Sequence, residues 1–290
     1  MKQKNPIYLT CEDHTVSHEK FNLIYLSELD MLETSPKPKI EKLGTYYESE
    51  DYISHTDSTK SFVDKLYHII KSFSLNKKLR LINSLKTEEK RVLDVGCGTG
   101  DFLATCKQNG WEVVGVEPNQ KARSFAEAKL NFQSSSAIFS DLEKVHEEKF
   151  DIITLWHVLE HVPNLNAYIG MLKDKLKAKG ILIVAVPNFK SFDAKYYREY
   201  WAAFDVPRHL WHFSKKAIVA LFKNVEMEVV HIAPMKFDSF YVSLLSEKYK
   251  TGKSKLIKAF YIGLMSNLRA IKSKEYSSHI YLLKNRQELF

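Results

Sequence analysis

Between residues 91 and 186, short β-branched runs alternate with stretches of helical spacing, a pattern that few architectures satisfy. The runs fall at 91–95, 112–116, 137–139, 151–155 and 180–186, and the helical stretches at 101–109, 120–130 and 165–177, the last with Gly180 as a stop signal. Strand, helix, strand in strict succession predicts a parallel sheet with helices on both faces, a doubly wound α/β fold. Apolar residues make up 44% of the 290-residue chain, enough for a substantial core.

The segment VLDVGCGTGDF carries the first of these strands and the turn directly behind it. Gly96, Gly98 and Gly100 stand where strand turns to helix, so the backbone can turn sharply there and a ligand can approach the main chain without meeting a Cβ. The second strand ends in VVGVEPN, which sets Glu117 at its tip with a carboxylate suited to the two hydroxyls of a ribose. The third ends in IFSDLE, where Asp141 can accept from an adenine amino group and Leu142 can lie against the ring. A dinucleotide dehydrogenase would carry a related G-x-G-x-x-G turn, but Asp101 occupies the place of its last glycine.

These residues resemble the class I S-adenosylmethionine-dependent methyltransferases. VLDVGCGTG is similar to their first motif, GVEP to the second and SDLE to the third. FDIITLWHVLEHVPN and LKAKGILIVAVPN resemble the fourth and fifth, and the likeness covers about residues 75–235. It implies a seven-stranded, mostly parallel sheet and S-adenosylmethionine as cofactor, with the glycine loop around the methionine moiety and Asp94 positioning the loop and the amino group. Upstream, LGTYYESEDYISH resembles a segment that reaches back over the cofactor, nominating Tyr47, Tyr52 and His55 as contacts.

Methyl transfer needs an acceptor held in line with the methyl carbon, water excluded and, for a hydroxyl or activated carbon, a base working near neutral pH. His157, after the fourth strand, and His209, in FDVPRHLWHFS, are the candidate catalytic residues; His212 is a third histidine in that region, and His161 reads as structural. The aromatic cluster Trp201, Phe204, Trp211 and Phe213 is either core or substrate wall. No metal is expected, because Glu160 and His161 lack the further carboxylate that the ubiquinone-type O-methyltransferases would place near them. The segment LWHVLEHV also lacks the Asn/Asp-Pro-Pro-aromatic pattern of amine methylation, which directs the reading to oxygen or carbon of a small-molecule acceptor. The alternatives are a nucleotide-dependent oxidoreductase and a non-catalytic binding protein on the same frame.

Three segments are expected: a small N-terminal hairpin over 1–40, a helical extension over the cofactor site at 41–90, and the methyltransferase domain over 91–290 with a helical insertion at about 238–275. The N-terminal piece resembles a zinc ribbon, yet Cys11 and His14 are its one ligand-like pair and tetrahedral zinc needs four ligands. The three cysteines, the absence of an apolar signal core after MKQKNP, and apolar runs too short to span a bilayer lead to the expectation of a reducing, cytoplasmic setting.

The net charge of +8 is wholly local. Residues 248–274 hold eight basic side chains and no acid, which leaves 35 basic against 35 acidic elsewhere. Within this stretch Leu256, Ile257, Phe260, Tyr261, Leu264, Met265, Leu268 and Ile271 share one broad helical face. That face is expected to act as a lid over the active site; the alternative is a peripheral membrane surface or a receiver of a lipid-linked substrate, at residues 253–274. A nucleic-acid partner is disfavoured by the confinement of the charge to one segment. The sequence leaves the oligomeric state open.

Overall fold

Runs of Val, Leu and Ile that are apolar on both sides belong in a sheet covered on both faces, and a computed structural model of the protein places them there. It describes residues 5–47, 62–130, 137–146 and 149–286. Strands β4 (Arg91–Val95), β5 (Glu112–Val116), β6 (Ile138–Phe139), β7 (Phe150–Trp156), β8 (Leu176–Pro187), β10 (Met227–Pro234) and β11 (Ser278–Asn285) form a seven-stranded sheet ordered β10-β11-β8-β7-β4-β5-β6. The pairs β4–β5, β4–β7 and β5–β6 are parallel, so Gly96, Glu117 and Ser140 follow strand ends, and Trp156 closes a strand, at one edge.

The chain divides into two compact units, one of residues 53–156, 167–184 and 282–290, the other of 1–52, 157–166 and 185–281; β8 and β11 have residues in both. In the first, Val92, Leu93, Val113, Ile152 and Ile153 are buried in the sheet, and the helix Asp101–Gln108 buries Phe102, Leu103 and Cys106. Helix Leu165–Asp174 stops short of the expected residue 177, and β8 begins at once at Leu176. Gly180 is therefore a mid-strand residue, and its role is close approach: a Cβ there would stand 2.9 Å from the Phe150 carbonyl oxygen and 2.8 Å from Leu176.

The second unit contains the N-terminal piece, which is a three-stranded meander of β1 (Ile7–Glu12), β2 (Lys20–Leu26) and β3 (Met31–Ser35), and not the expected two-stranded hairpin. Strand β9 (Trp211–His212) adds a fourth strand through pairing of Leu32 with His212. A one-sided sheet needs cover, and Phe21, Leu23 and Leu32 share a core with Tyr197, Trp201, Phe204 and Ile262. Trp201, Phe204 and Phe213 are thus core residues.

Two buried polar hubs stitch this unit. Asp193 accepts from Trp201 Nε1 at 2.8 Å, Ser266 Oγ at 2.6 Å and Ser277 Oγ at 2.7 Å. Arg208 donates to Asp205 at 2.6 Å, Asp13 at 3.2 Å and the Tyr46 carbonyl at 3.2 Å. In the second hub the Arg208 and Asp13 charges, so deeply placed, persist because they are paired.

The basic segment forms an antiparallel pair of helices, Asp238–Thr251 and Leu256–Ser273. Its packing is opposite to the lid expected from the sequence. The second helix buries its small side, Ala259, Ile262, Gly263, Ser266 and Ala270, while its large apolar side faces outward. Close approach is the reason: a Cβ on Gly263 would lie 2.8 Å from the Phe240 ring, and Ser266 reaches Asp193 from the same side. Among the described residues no helix is long and apolar enough to cross a membrane.

Candidate active site

The loop after β4 is built from left-handed backbone. Gly96, Gly98 and Gly100 have φ of 71°, 54° and 77°, a region open to glycine at no steric cost. The three serve different ends. A Cβ on Gly100 would stand 2.9 Å from the Ala126 Cβ, so this glycine lets two helices meet; a Cβ on Gly98 would meet nothing within 4 Å among the described residues, so this one keeps a space open there. The Gly96 and Cys97 amides bond to the Val116 carbonyl at 2.7 and 3.0 Å, fixing the loop to β5.

Glu117 is anchored against this loop. Its Oε2 accepts from the Gly98 amide at 2.9 Å and its Oε1 from the Asn119 amide at 2.8 Å. Each oxygen keeps a lone pair for a further donor, the need of a ribose diol. Burial pushes the Glu117 carboxyl upward, against the two amides and Arg123.

Asp94, buried at the end of β4, accepts from Thr154 Oγ1 at 2.6 Å. Burial is the largest influence and raises its carboxyl to about 7; the Thr154 hydroxyl and Lys78 oppose the rise, and Glu117 adds to it. A carboxyl that holds its proton more tightly folded than unfolded stabilises the fold fully below about pH 4, and that contribution is lost as pH rises through about 7. Asp94→Asn is therefore expected to flatten the decline in stability between about pH 4 and 7, measured by denaturant unfolding across that range; an unchanged slope would rule out Asp94 as its source.

At the third tip Asp141 caps the turn Leu142–Lys144, accepting from Ser140 Oγ at 2.9 Å and the Lys144 amide at 3.2 Å. Leu142 corrects the expectation: it is buried in the core and not open at the strand tip. No sequence pattern pointed to the neighbours at the end of β7. There Trp156 packs edge-on against Phe102 at 5.8 Å, and Lys78 lies 4.4 Å from the indole centroid. Trp156 Nε1 is buried without a hydrogen-bond partner among the described residues. Tyr47 ends the turn Gly44–Tyr47, and its side chain, like Tyr52 and His55, lies outside the described residues.

The histidines belong to the second unit. His157 adopts a left-handed φ of 58°, costly for a residue with a side chain and found where surroundings fix it. Its Nδ1 stands 3.3 Å from Glu160 and its Nε2 3.1 Å from Asp238. Burial alone would favour the neutral ring, yet the carboxylates of Asp238 and Glu160 outweigh it and raise His157 to about 10. A charged ring with both nitrogens engaged does not accept a proton near pH 7, which removes the physical basis for His157 as a base. Nitrogen-detected NMR of the imidazole is expected to show no His157 titration between about pH 6 and 8; a midpoint in that window would refute the assignment.

His209 is different. Its Nδ1 donates to the Ala203 carbonyl at 2.9 Å, and its Nε2 stands 3.9 Å from Asp205 Oδ2. His161 likewise donates Nδ1–H to the Arg208 carbonyl at 3.0 Å, and burial lowers its pKa to about 4. His212 is buried against Thr34 at 3.0 Å and held well below the usual imidazole range, first by burial and then by His209. Glu160, His161 and His209 present ligand atoms all within 4.8 Å of one another. Two imidazoles and a carboxylate form a donor set able to take a divalent cation. His209 is a catalytic candidate from the sequence, yet no spacing rule links it to Glu160 across 48 intervening residues, so its grouping with Glu160 and His161 was not legible there.

A doubly wound sheet with a glycine cradle at one strand tip and an acid at the next defines a Rossmann-like methyltransferase fold. The family described as a methyltransferase domain matches residues 68–232, more than half of the chain, and the chain belongs to it. Curated relatives include the ubiquinone biosynthesis O-methyltransferases of Pasteurella multocida (strain Pm70), 35% identical over 115 residues, and of Rhodopseudomonas palustris (strain BisB5), 37% identical over 109 residues. These matches cover 34% and 35% of this chain and 47% and 42% of the relatives, so the chain spans less than half of their length. Among solved structures, magnesium protoporphyrin IX methyltransferase from Synechocystis PCC 6803 with bound SAH aligns with a TM-score of 0.56 at 15% identity. It covers 84% of this chain and 99% of that one, a likeness of fold.

Proposed function

We propose that this protein transfers the methyl group of S-adenosylmethionine to an oxygen or carbon of a small-molecule acceptor. The observation that carries the reading is the open space at Gly98 beside the anchored Glu117 carboxylate. The backbone there admits the methionine moiety, and the spare Glu117 lone pairs accept the ribose hydroxyls. Asp94 is assigned to the loop and the amino group, and Asp141 to the adenine amino group. When bound, the cofactor supplies an electrophilic methyl carbon on a good leaving group.

On the acceptor side, His209 Nε2 is the candidate base, and His157 is a positioning residue that ties Asp238 to Glu160. The names of the curated relatives favour oxygen as the acceptor atom. The extension 41–90, of which residues 48–61 lie outside the described residues, is assigned to the cofactor side of the site. Calorimetry tests the reading: heat is expected with S-adenosylhomocysteine and none with NAD, while heat with NAD alone would favour the oxidoreductase. A methyl-labelled cofactor incubated with cell extract should then yield one labelled product by mass spectrometry; cofactor binding without any product would favour the non-catalytic reading.

A further inference from the structure

The helix Leu256–Ser273 turns its large apolar side chains away from the protein. Leu256, Ile257, Phe260, Leu264, Leu268 and Ile271 are all exposed, Ile257 by 90%. At 100° per residue they fall within an arc of about 120°, along a helix about 27 Å long. An isolated surface leucine needs no explanation, but a continuous ridge of this length does. The ridge cannot simply rotate inward, because Ser266 bonds to buried Asp193 at 2.6 Å and Gly263 packs tightly on Phe240 from the opposite side.

Charge selects the occupant. Lys253 and Lys255 precede the helix, Lys272 and Lys274 close it, and all four are exposed. Lys258 pairs with Glu247 at 3.3 Å, and Arg269 stacks on Phe192 at 4.1 Å, so these two brace the helix. No acid lies between residues 248 and 274. A second copy of the chain would set one basic rim against another, which like charges oppose. An anionic bilayer surface satisfies both features: apolar side chains enter the acyl boundary and the lysines meet headgroups.

We infer that the outward face of Leu256–Ser273 is a docking surface for anionic membranes, with the helix lying in the interface plane. The surface uses no residue of the cofactor cradle or of the histidine cluster, so it stands independently of the methyl-transfer reading. It also gives the protein a means of meeting an apolar acceptor held in a lipid surface.

The test is co-sedimentation of the full chain with phosphatidylcholine vesicles, with and without phosphatidylglycerol. Binding is expected to anionic vesicles only, to weaken with salt, and to fall by about tenfold or more in the double variant Ile257→Glu/Ile271→Glu. Both positions are exposed, so folding should survive, and heat with S-adenosylhomocysteine on the same samples reports the cradle separately. Failure of the unaltered protein to bind anionic vesicles overturns the inference. So does a dimer in sedimentation equilibrium that the double variant dissolves, since the face would then belong to a second copy.

Discussion

Gly98→Val is expected to fold and yet lose cofactor affinity by about a hundredfold, some 2.8 kcal/mol, whereas Gly100→Val is expected to lose the fold. The two glycines lie two residues apart in the same loop with similar positive φ, so backbone strain of about 1–2 kcal/mol applies to both. Surroundings separate them. At Gly98 the new side chain enters open space and fills the place where a ligand would touch the main chain. At Gly100 it collides with Ala126, and overpacking adds to the strain for a total of about 3 kcal/mol or more. Calorimetry with S-adenosylhomocysteine and thermal unfolding, run on both variants, check the pair. Retained binding in Gly98→Val would remove the main support for the cradle.

Arg208→Met is expected to destabilise the protein by about 3–5 kcal/mol, because removing one partner of a buried ion cluster strands the others. The guanidinium is 7% exposed and Asp13 fully buried, so water cannot replace the lost donor. Burial would raise the Asp13 carboxyl, but the Ser17 amide, Arg208 and Thr15 hold it well below the usual carboxylate range. Burial opposes ionisation of Asp205 too, and Arg208 is the largest influence holding it low. Carboxyls with depressed folded values stabilise above about pH 4 and release that stability as pH falls through their lower native range. Chemical denaturation at neutral and acidic pH should therefore show a large loss at pH 7 in Arg208→Met and a shallower acid decline. Arg208→Lys keeps the charge without the fork and should fall between the two. A variant as stable as the unaltered chain would show that the cluster is not structural.

Several features were legible because they are local. Glycines directly behind a β-branched run dictate a strand, a left-handed loop and a helix within about ten residues, with no distant partner required. Glu117 and Asp141 were found the same way, since parallel strands must bring their ends to one edge. Strand order at the other end of the chain and the return of β9 to the N-terminal meander depend on pairings between residues far apart in sequence, such as Leu32 with His212.

The sequence by itself determined the fold class, through strand and helix periods over short spans, and the family, through the resemblance of its ordered motifs. Only the tertiary structure decided the surroundings of His157, which meets Asp238 from some eighty positions away, and the gathering of His209 with Glu160 and His161. It also decided which side of Leu256–Ser273 is buried. Periodicity reveals that a helix has two faces, but small residues that permit close approach and one hydrogen bond to Asp193 outweighed the apolar stripe in choosing between them.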